Sequence, residues 1–142
     1  MRSTTRDLMH AGVLTCTLTT PLQDAARTMA EHEISALVVV DEHDVVVGIL
    51  SRTDVVNARL YAQYWKHWRG LTAGQVMTKD VVTVGLDEPV EQAGRIMVER
   101  KIRRIVVVEP GEYGPRPIGI LSLTDIVREI AGESIDEPGE SS

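Results

Sequence analysis

Displaced by 68 residues, the chain superposes on itself, and that internal repeat limits the fold more than any other feature of the sequence. Met9 falls on Met77, Val13 on Val81, Thr15 on Thr83, Pro21 on Pro89, Ala25 on Ala93, Arg27 on Arg95, Met29 on Met97 and Ile34 on Ile102. Val38-Val39-Val40 meets Val106-Val107-Val108, and 13 of the 35 positions from 6–40 and 74–108 are identical. The offset then becomes 71, where Gly48-Ile49-Leu50-Ser51-x-Thr53-Asp54 meets Gly119-Ile120-Leu121-Ser122-x-Thr124-Asp125. The three extra residues of the second copy lie in 109–117, where three Pro and two Gly predict a loop. The fold must therefore use one supersecondary unit twice.

Local signals inside each copy agree on that unit. Leu22, Ala25, Ala26 and Met29 recur at helical spacing, and Val90, Ala93 and Met97 keep the stripe, so each copy has a short amphipathic helix. Pro21 and Pro89 suit a first helical turn, with Thr19, Thr20 or Asp87 as capping candidates. Leu37 to Val40 and Val45 to Leu50, split by a polar four-residue turn, predict a hairpin of two largely buried strands. Ser51 with Thr53, and Ser122 with Thr124, offer N-caps for a second helix. The unit reads β-α-β-β-α, an α/β (α+β) class. It gives repeat 1 at 6–58, a linker helix at 59–72, repeat 2 at 73–131 and an acidic, unstructured tail at 132–142.

Composition removes several function classes. The 142 residues carry 15 Lys plus Arg against 21 Asp plus Glu, a net charge of −6 that argues against general nucleic-acid binding. Four acids at 133, 136, 137 and 140 belong to the tail, leaving −2 for the rest. Cys16 is alone, so no disulfide framework and no thiolate metal cage is expected. Nineteen Val and no Phe favour sheets. No signal peptide and no run of roughly 20 apolar residues is present, so the expectation is a cytoplasmic protein with no membrane contact.

The Ser-x-Thr-Asp segments carry the chemistry. Each sits where a strand delivers the chain to a helix N-terminus, whose amides and dipole favour an anion. Ser51 or Ser122 could donate to a phosphate oxygen, and Asp54 or Asp125 could accept from the vicinal hydroxyls of a ribose. A purely structural role is the alternative: Ser caps the helix and Asp complements its dipole. Thr15 and Thr83 likewise read either as site residues or as ordinary strand residues.

Two such units, each opening with Met-x3-Val-x-Thr and closing with Gly-Ile-Leu-Ser-x-Thr-Asp, resemble a tandem pair of CBS (cystathionine β-synthase) domains from about Arg6 to Ile130. The resemblance implies two repeats packed about a pseudo-twofold axis into one module, and modules that pair as homodimers. It also implies a stand-alone sensor that binds adenosine-containing ligands in two clefts between the repeats. Each cleft is then crossed: Ser122 and Asp125 face Val13, Thr15 and Val38, and Ser51 and Asp54 face Val81, Thr83 and Val106. The family often places basic residues where Arg103 and Arg104 stand, against Ser35 and Ala36 in the first copy. Arginine forks suit phosphate oxygens, so the cleft with Ser51 and Asp54 is the better candidate for a charged nucleotide. Arg100 and Lys101 read as a solvated helix end.

The remaining candidates are weaker. His10, His32, His43 and His67 share no ligand spacing with one another or with Cys16, so no metal site is expected. The stripe Tyr61, Tyr64, Trp65 and Trp68 reads as a dimer or partner surface. No nucleophile, base and orienting group can be named together, so the chain is not expected to be an enzyme. The expectation is a regulatory module that needs no cofactor, binds AMP, ADP or ATP, and signals to a separate effector protein. The rival is a ligand-free scaffold that docks a partner.

Overall fold

A computed structural model describes residues 2–61 and 68–133. In chain order the elements are α1 (Thr5–Leu8), β1 (His10–Ala11), β2 (Thr15–Thr17), α2 (Leu22–Glu31), β3 (Ala36–Val40), β4 (Val46–Ser51) and α3 (Arg52–Tyr61). A 3-10 turn at Trp68–Gly70 precedes α4 (Ala73–Val76), β5 (Thr83–Gly85), α5 (Val90–Arg100), β6 (Arg104–Pro110), β7 (Pro115–Ser122) and α6 (Leu123–Ala131). The β-α-β-β-α unit is present twice, in a mixed α/β structure with two small sheets.

The first sheet has the order β2-β3-β4, with β2 parallel and β4 antiparallel to β3. All five residues of β3 are buried, as a strand covered on both faces requires, which explains its continuous Leu-Val-Val-Val run. Leu37 and Val39 join Leu50 from β4 and the stripe Leu22, Ala25 and Met29 of α2 in one core. The second sheet, β1-β7-β6-β5, repeats the scheme with Ile105, Val107 and Leu121 against Val90, Ala93 and Met97 of α5. Each fully buried Leu or Ile contributes roughly 1.5–3 kcal/mol, so two small Val-rich cores without Phe suffice.

The compact units are not the sequence repeats. One unit combines 1–12 with 82–109 and 118–142, and the other combines 13–81 with 110–117. Each opening segment docks on the body of the opposite repeat. Thr5 and Arg6 donate their N–H groups to the Glu88 and Leu86 carbonyls at 2.9 and 3.0 Å, and His10 and Ala11 pair with Ile120 and Gly119 of β7. By the same geometry, Ala73 and Gly74 donate to the Thr20 and Leu18 carbonyls at 2.8 and 3.0 Å, and Thr78 bridges Ile49 of β4. The division therefore differs from the boundaries 6–58 and 73–131 read from the repeat.

Three local expectations are corrected. Pro21 and Pro89 are themselves the N-cap residues of α2 and α5, with no side-chain cap from Thr19, Thr20 or Asp87. The first free amides are met instead by backbone, Leu22 N–H by the Leu71 carbonyl at 2.9 Å and Val90 N–H by the Ser3 carbonyl at 3.1 Å. The proline-rich 109–117 segment is mostly strand, closed by a turn in which Gly111 N–H donates to the Gly114 carbonyl at 3.0 Å. Its tip packs on the β3–β4 turn of the unit containing 13–81, through a stacked His43–Tyr113 pair at 3.8 Å and an Arg116–Asp44 ion pair at 3.4 Å. Residues 59–61, assigned to the linker helix, belong to α3. Tyr64, Trp65 and the acidic tail beyond Glu133 lie outside the described residues, as does the side chain of Trp68.

Candidate functional site

The strand-to-helix junctions at Ser51 and Ser122 are built by the same local chemistry. Strands β4 and β7 end on serine, and the next residue starts a helix whose first amides lack intrahelical acceptors. At the first junction, the Ser51 hydroxyl oxygen accepts from Asp54 N–H at 3.1 Å, and Asp54 Oδ2 accepts from Ser51 N–H at 2.9 Å. At the second, Asp125 N–H donates to Ser122 Oγ at 3.2 Å, and Asp125 Oδ2 accepts from Ser122 N–H at 2.8 Å. Both are reciprocal capping boxes, so the structural role of Ser and Asp is present in each copy.

What remains after capping differs between the two. Asp54 is half-buried, and its Oδ1 has no hydrogen-bond or ion-pair partner among the described residues. Asp125 is 7% exposed, and its Oδ1 accepts from His10 Nε2 at 2.9 Å. Ser122 Oγ also donates to Asp125 Oδ2 at 2.9 Å, a bond absent at Ser51 among the described residues. In the sequence His10 stands out only as a histidine without metal-ligand spacing. Its place opposite Ile120, matched by Thr78 opposite Ile49, comes from pairing of segments distant in sequence, which no periodicity announces.

The other sequence-derived candidates fall into both compact units. In the unit containing 13–81, Thr15 pairs with Val38, and Val38 N–H donates to the Leu14 carbonyl at 3.3 Å. Thr15 is exposed, Val13 half-buried and Val38 fully buried. In the other unit Thr83 pairs with Val106, and Val106 N–H donates to the Val82 carbonyl at 3.3 Å. Val81 lies with Ser51 and Asp54 by chain division, whereas Thr83, Arg103, Arg104 and Val106 lie with Ser122 and Asp125. Arg103 and Arg104 are exposed, and neither guanidinium has a partner among the described residues. The Arg103 carbonyl accepts from Leu123 N–H at 3.0 Å, as the Ser35 carbonyl does from Arg52 N–H, which fixes each β-strand entrance beside the helix start of its own unit.

No cluster of three or more His, Cys, Asp or Glu side chains is arranged to hold a metal among the described residues. Burial pushes the Cys16 thiol up from 9.0 to about 11, so it is a core residue rather than a thiolate nucleophile. None of the described helices is long and apolar enough to cross a membrane.

Comparison with known proteins gives a consistent result. The family model described as "CBS domain" matches residues 6–61 and 73–132. The chain is 31% identical over 128 residues to an L-aspartate semialdehyde sulfurtransferase of Methanocaldococcus jannaschii, covering 90% of this chain but 23% of that enzyme. Among solved structures, the CBS domain pair of protein MJ0100 in complex with 5'-methylthioadenosine and S-adenosyl-L-methionine superposes with a TM-score of 0.77 at 28% identity, covering 94% of this chain and all of that one. CBSX2 in complex with AMP gives a TM-score of 0.76 at 26% identity, over 90% of this chain and 96% of that one.

Proposed function

The chain belongs to the CBS domain family, and from that premise we propose that it is a regulatory module that binds an adenosine-containing ligand and reports its occupancy to a separate effector protein. The observation that carries this reading is the Asp54 carboxylate. One of its oxygens holds the α3 cap and the other has no partner among the described residues, in a half-buried position at a helix N-terminus. A carboxylate oxygen so placed suits the hydroxyls of a ribose, and the positive end of the helix dipole suits a phosphate. The bound molecules of the related structures, AMP, 5'-methylthioadenosine and S-adenosyl-L-methionine, share the adenosine group.

The proposed first site uses Ser51, Asp54 and Val81, and Thr83, Arg103, Arg104 and Val106 are proposed as ligand-binding residues of the other unit. Arg103 and Arg104, whose guanidinium groups have no partner among the described residues, favour a phosphorylated ligand, AMP, ADP or ATP. The proposed second site uses Ser122 and Asp125, and Val13, Thr15 and Val38 are proposed as ligand-binding residues of the unit containing 13–81. Signalling requires a ligand with different affinities for two conformations or association states. The proposal includes a homodimer. Val98, Val127 and Ile130 are 69%, 61% and 51% exposed and line an apolar groove of about 580 Å³ along α5 and α6, a surface suited to a second copy.

A thermal-shift series with AMP, ADP, ATP, NAD and S-adenosylmethionine tests the reading, since a ligand at 100 times its Kd stabilises the folded state by about 2.7 kcal/mol. A rise in Tm with at least one of them is expected. No shift with any at millimolar concentration favours the ligand-free scaffold.

A further inference from the structure

We infer that His10 makes the two Ser/Asp pairs unequal: its imidazole occupies the carboxylate of Asp125, so a ribose-type cis-diol binds there only by displacing it, while Asp54 is open. The inference rests on the ligand reading above and adds to it a residue that sets how many ligands one chain takes.

The two junctions share a common frame. Both use the same serine and aspartate in a capping box, and both receive a short antiparallel bridge from the docked opening segment. At β7 the bridging residue opposite Ile120 is His10, and at β4 the residue opposite Ile49 is Thr78. His10 donates from Nε2 to Asp125 Oδ1 at 2.9 Å, and the carboxylate it covers is only 6% exposed. The ring itself is 71% exposed, so it forms the solvent-facing lid of that carboxylate. Arg128 Nη1 adds a cation 3.8 Å from the same oxygen.

Hydrogen-bond capacity follows. A cis-diol needs acceptors for two O–H groups. Asp54 spends Oδ2 on Ser51 N–H, and its Oδ1 has no partner among the described residues. Asp125 spends Oδ2 on both the N–H and the hydroxyl of Ser122, and Oδ1 on His10. The Ser122 proton is thereby directed inward, whereas the Ser51 hydroxyl accepts from Asp54 N–H and donates to no group among the described residues. A ligand at Asp125 must therefore break the His10 bond and turn the Ser122 hydroxyl. Breaking a hydrogen bond to a buried carboxylate weakens binding by a large factor.

Isothermal titration of the full chain with AMP, and separately with 5'-methylthioadenosine as an uncharged diol, tests the inference. Wild type is expected to bind one ligand per chain. His10→Thr, which places at β7 the residue that β4 already faces, is expected to bind two, with the added site at least 10-fold tighter than any second event in wild type. His10→Gln keeps a side-chain N–H donor and is expected to stay at one, and unchanged circular dichroism shows that the variants fold. Two equal sites in wild type, or one site in His10→Thr, overturns the role of His10 and leaves the ligand reading intact. Absence of binding in every variant overturns both.

Discussion

Met9 lies against the α-carbon of Gly119, so that a β-carbon on Gly119 would stand 2.6 Å from the thioether sulfur and 2.8 Å from the His10 carbonyl oxygen. Met77 makes the same contact with Gly48, beside the Thr78 carbonyl at 3.0 Å. The opening Met and the closing Gly of the repeat signature are thus two halves of one contact, made by the opening segment of one copy on the hairpin of the other.

Overpacking of this kind costs about 1–3 kcal/mol, and Gly48→Ala and Gly119→Ala are expected to lose that much in urea denaturation. Because part of each clash is with a flexible side chain, Met77→Ala relieves Gly48→Ala in part. A double-mutant cycle should show a coupling of roughly 0.5 kcal/mol or more. Strict additivity would place the contact elsewhere.

The end of each amphipathic helix carries a non-glycine residue in the left-handed region, Glu33 at φ 52° and Lys101 at φ 57°. A side chain there costs roughly 1–2 kcal/mol, partly offset by the greater chain entropy glycine loses on folding. Glu33→Gly and Lys101→Gly are each expected to raise stability by about 0.5–1 kcal/mol, read as a higher denaturation midpoint at unchanged slope. A lower midpoint for both would contradict the helix-end geometry.

Cys16 supplies a pH dependence. Its thiol is raised in the folded state to about 11 by burial, above its ordinary value of 9.0, so between those values the folded chain holds a proton that the unfolded chain releases. Stability is complete below pH 9 and declines as pH rises toward 11, by about 2–3 kcal/mol for two pH units at 1.36 kcal/mol each. Cys16→Ala removes this component, so the gap between variant and wild type should close over that interval. Parallel curves would show that the thiol is not responsible.

Much of this structure is legible in the sequence because periodicity and turn residues act locally. The stripes of α2 and α5, the buried β3 and β6 and the serine caps all follow from residues close in the chain. The docking of Thr5–Leu8 and Ala73–Val76 on opposite repeats is not legible, because four-residue helices and two-residue bridges leave no pattern. Pro21 and Pro89 mark helix starts correctly, but backbone carbonyls from Leu71 and Ser3 replace the side-chain caps that local reasoning assigns. His10 belongs to the same class: its partner Asp125 is set by tertiary pairing alone.

Capping serines should separate structure from binding. Ser51→Ala and Ser122→Ala each remove a helix cap, at a cost of about 1 kcal/mol. Only Ser51→Ala is expected also to weaken nucleotide binding in wild-type background, measured as Kd by titration after correction for any unfolded fraction. Equal loss of affinity in both would make the junctions equivalent.

The most direct test of the account is AMP affinity in two conservative variants that preserve side-chain shape. Asp54→Asn is expected to weaken AMP binding by at least 10-fold, because it removes the open carboxylate, while Asp125→Asn stays within about 3-fold of wild type. Full affinity in Asp54→Asn, or a larger loss in Asp125→Asn, would contradict the assignment of the ligand to Asp54.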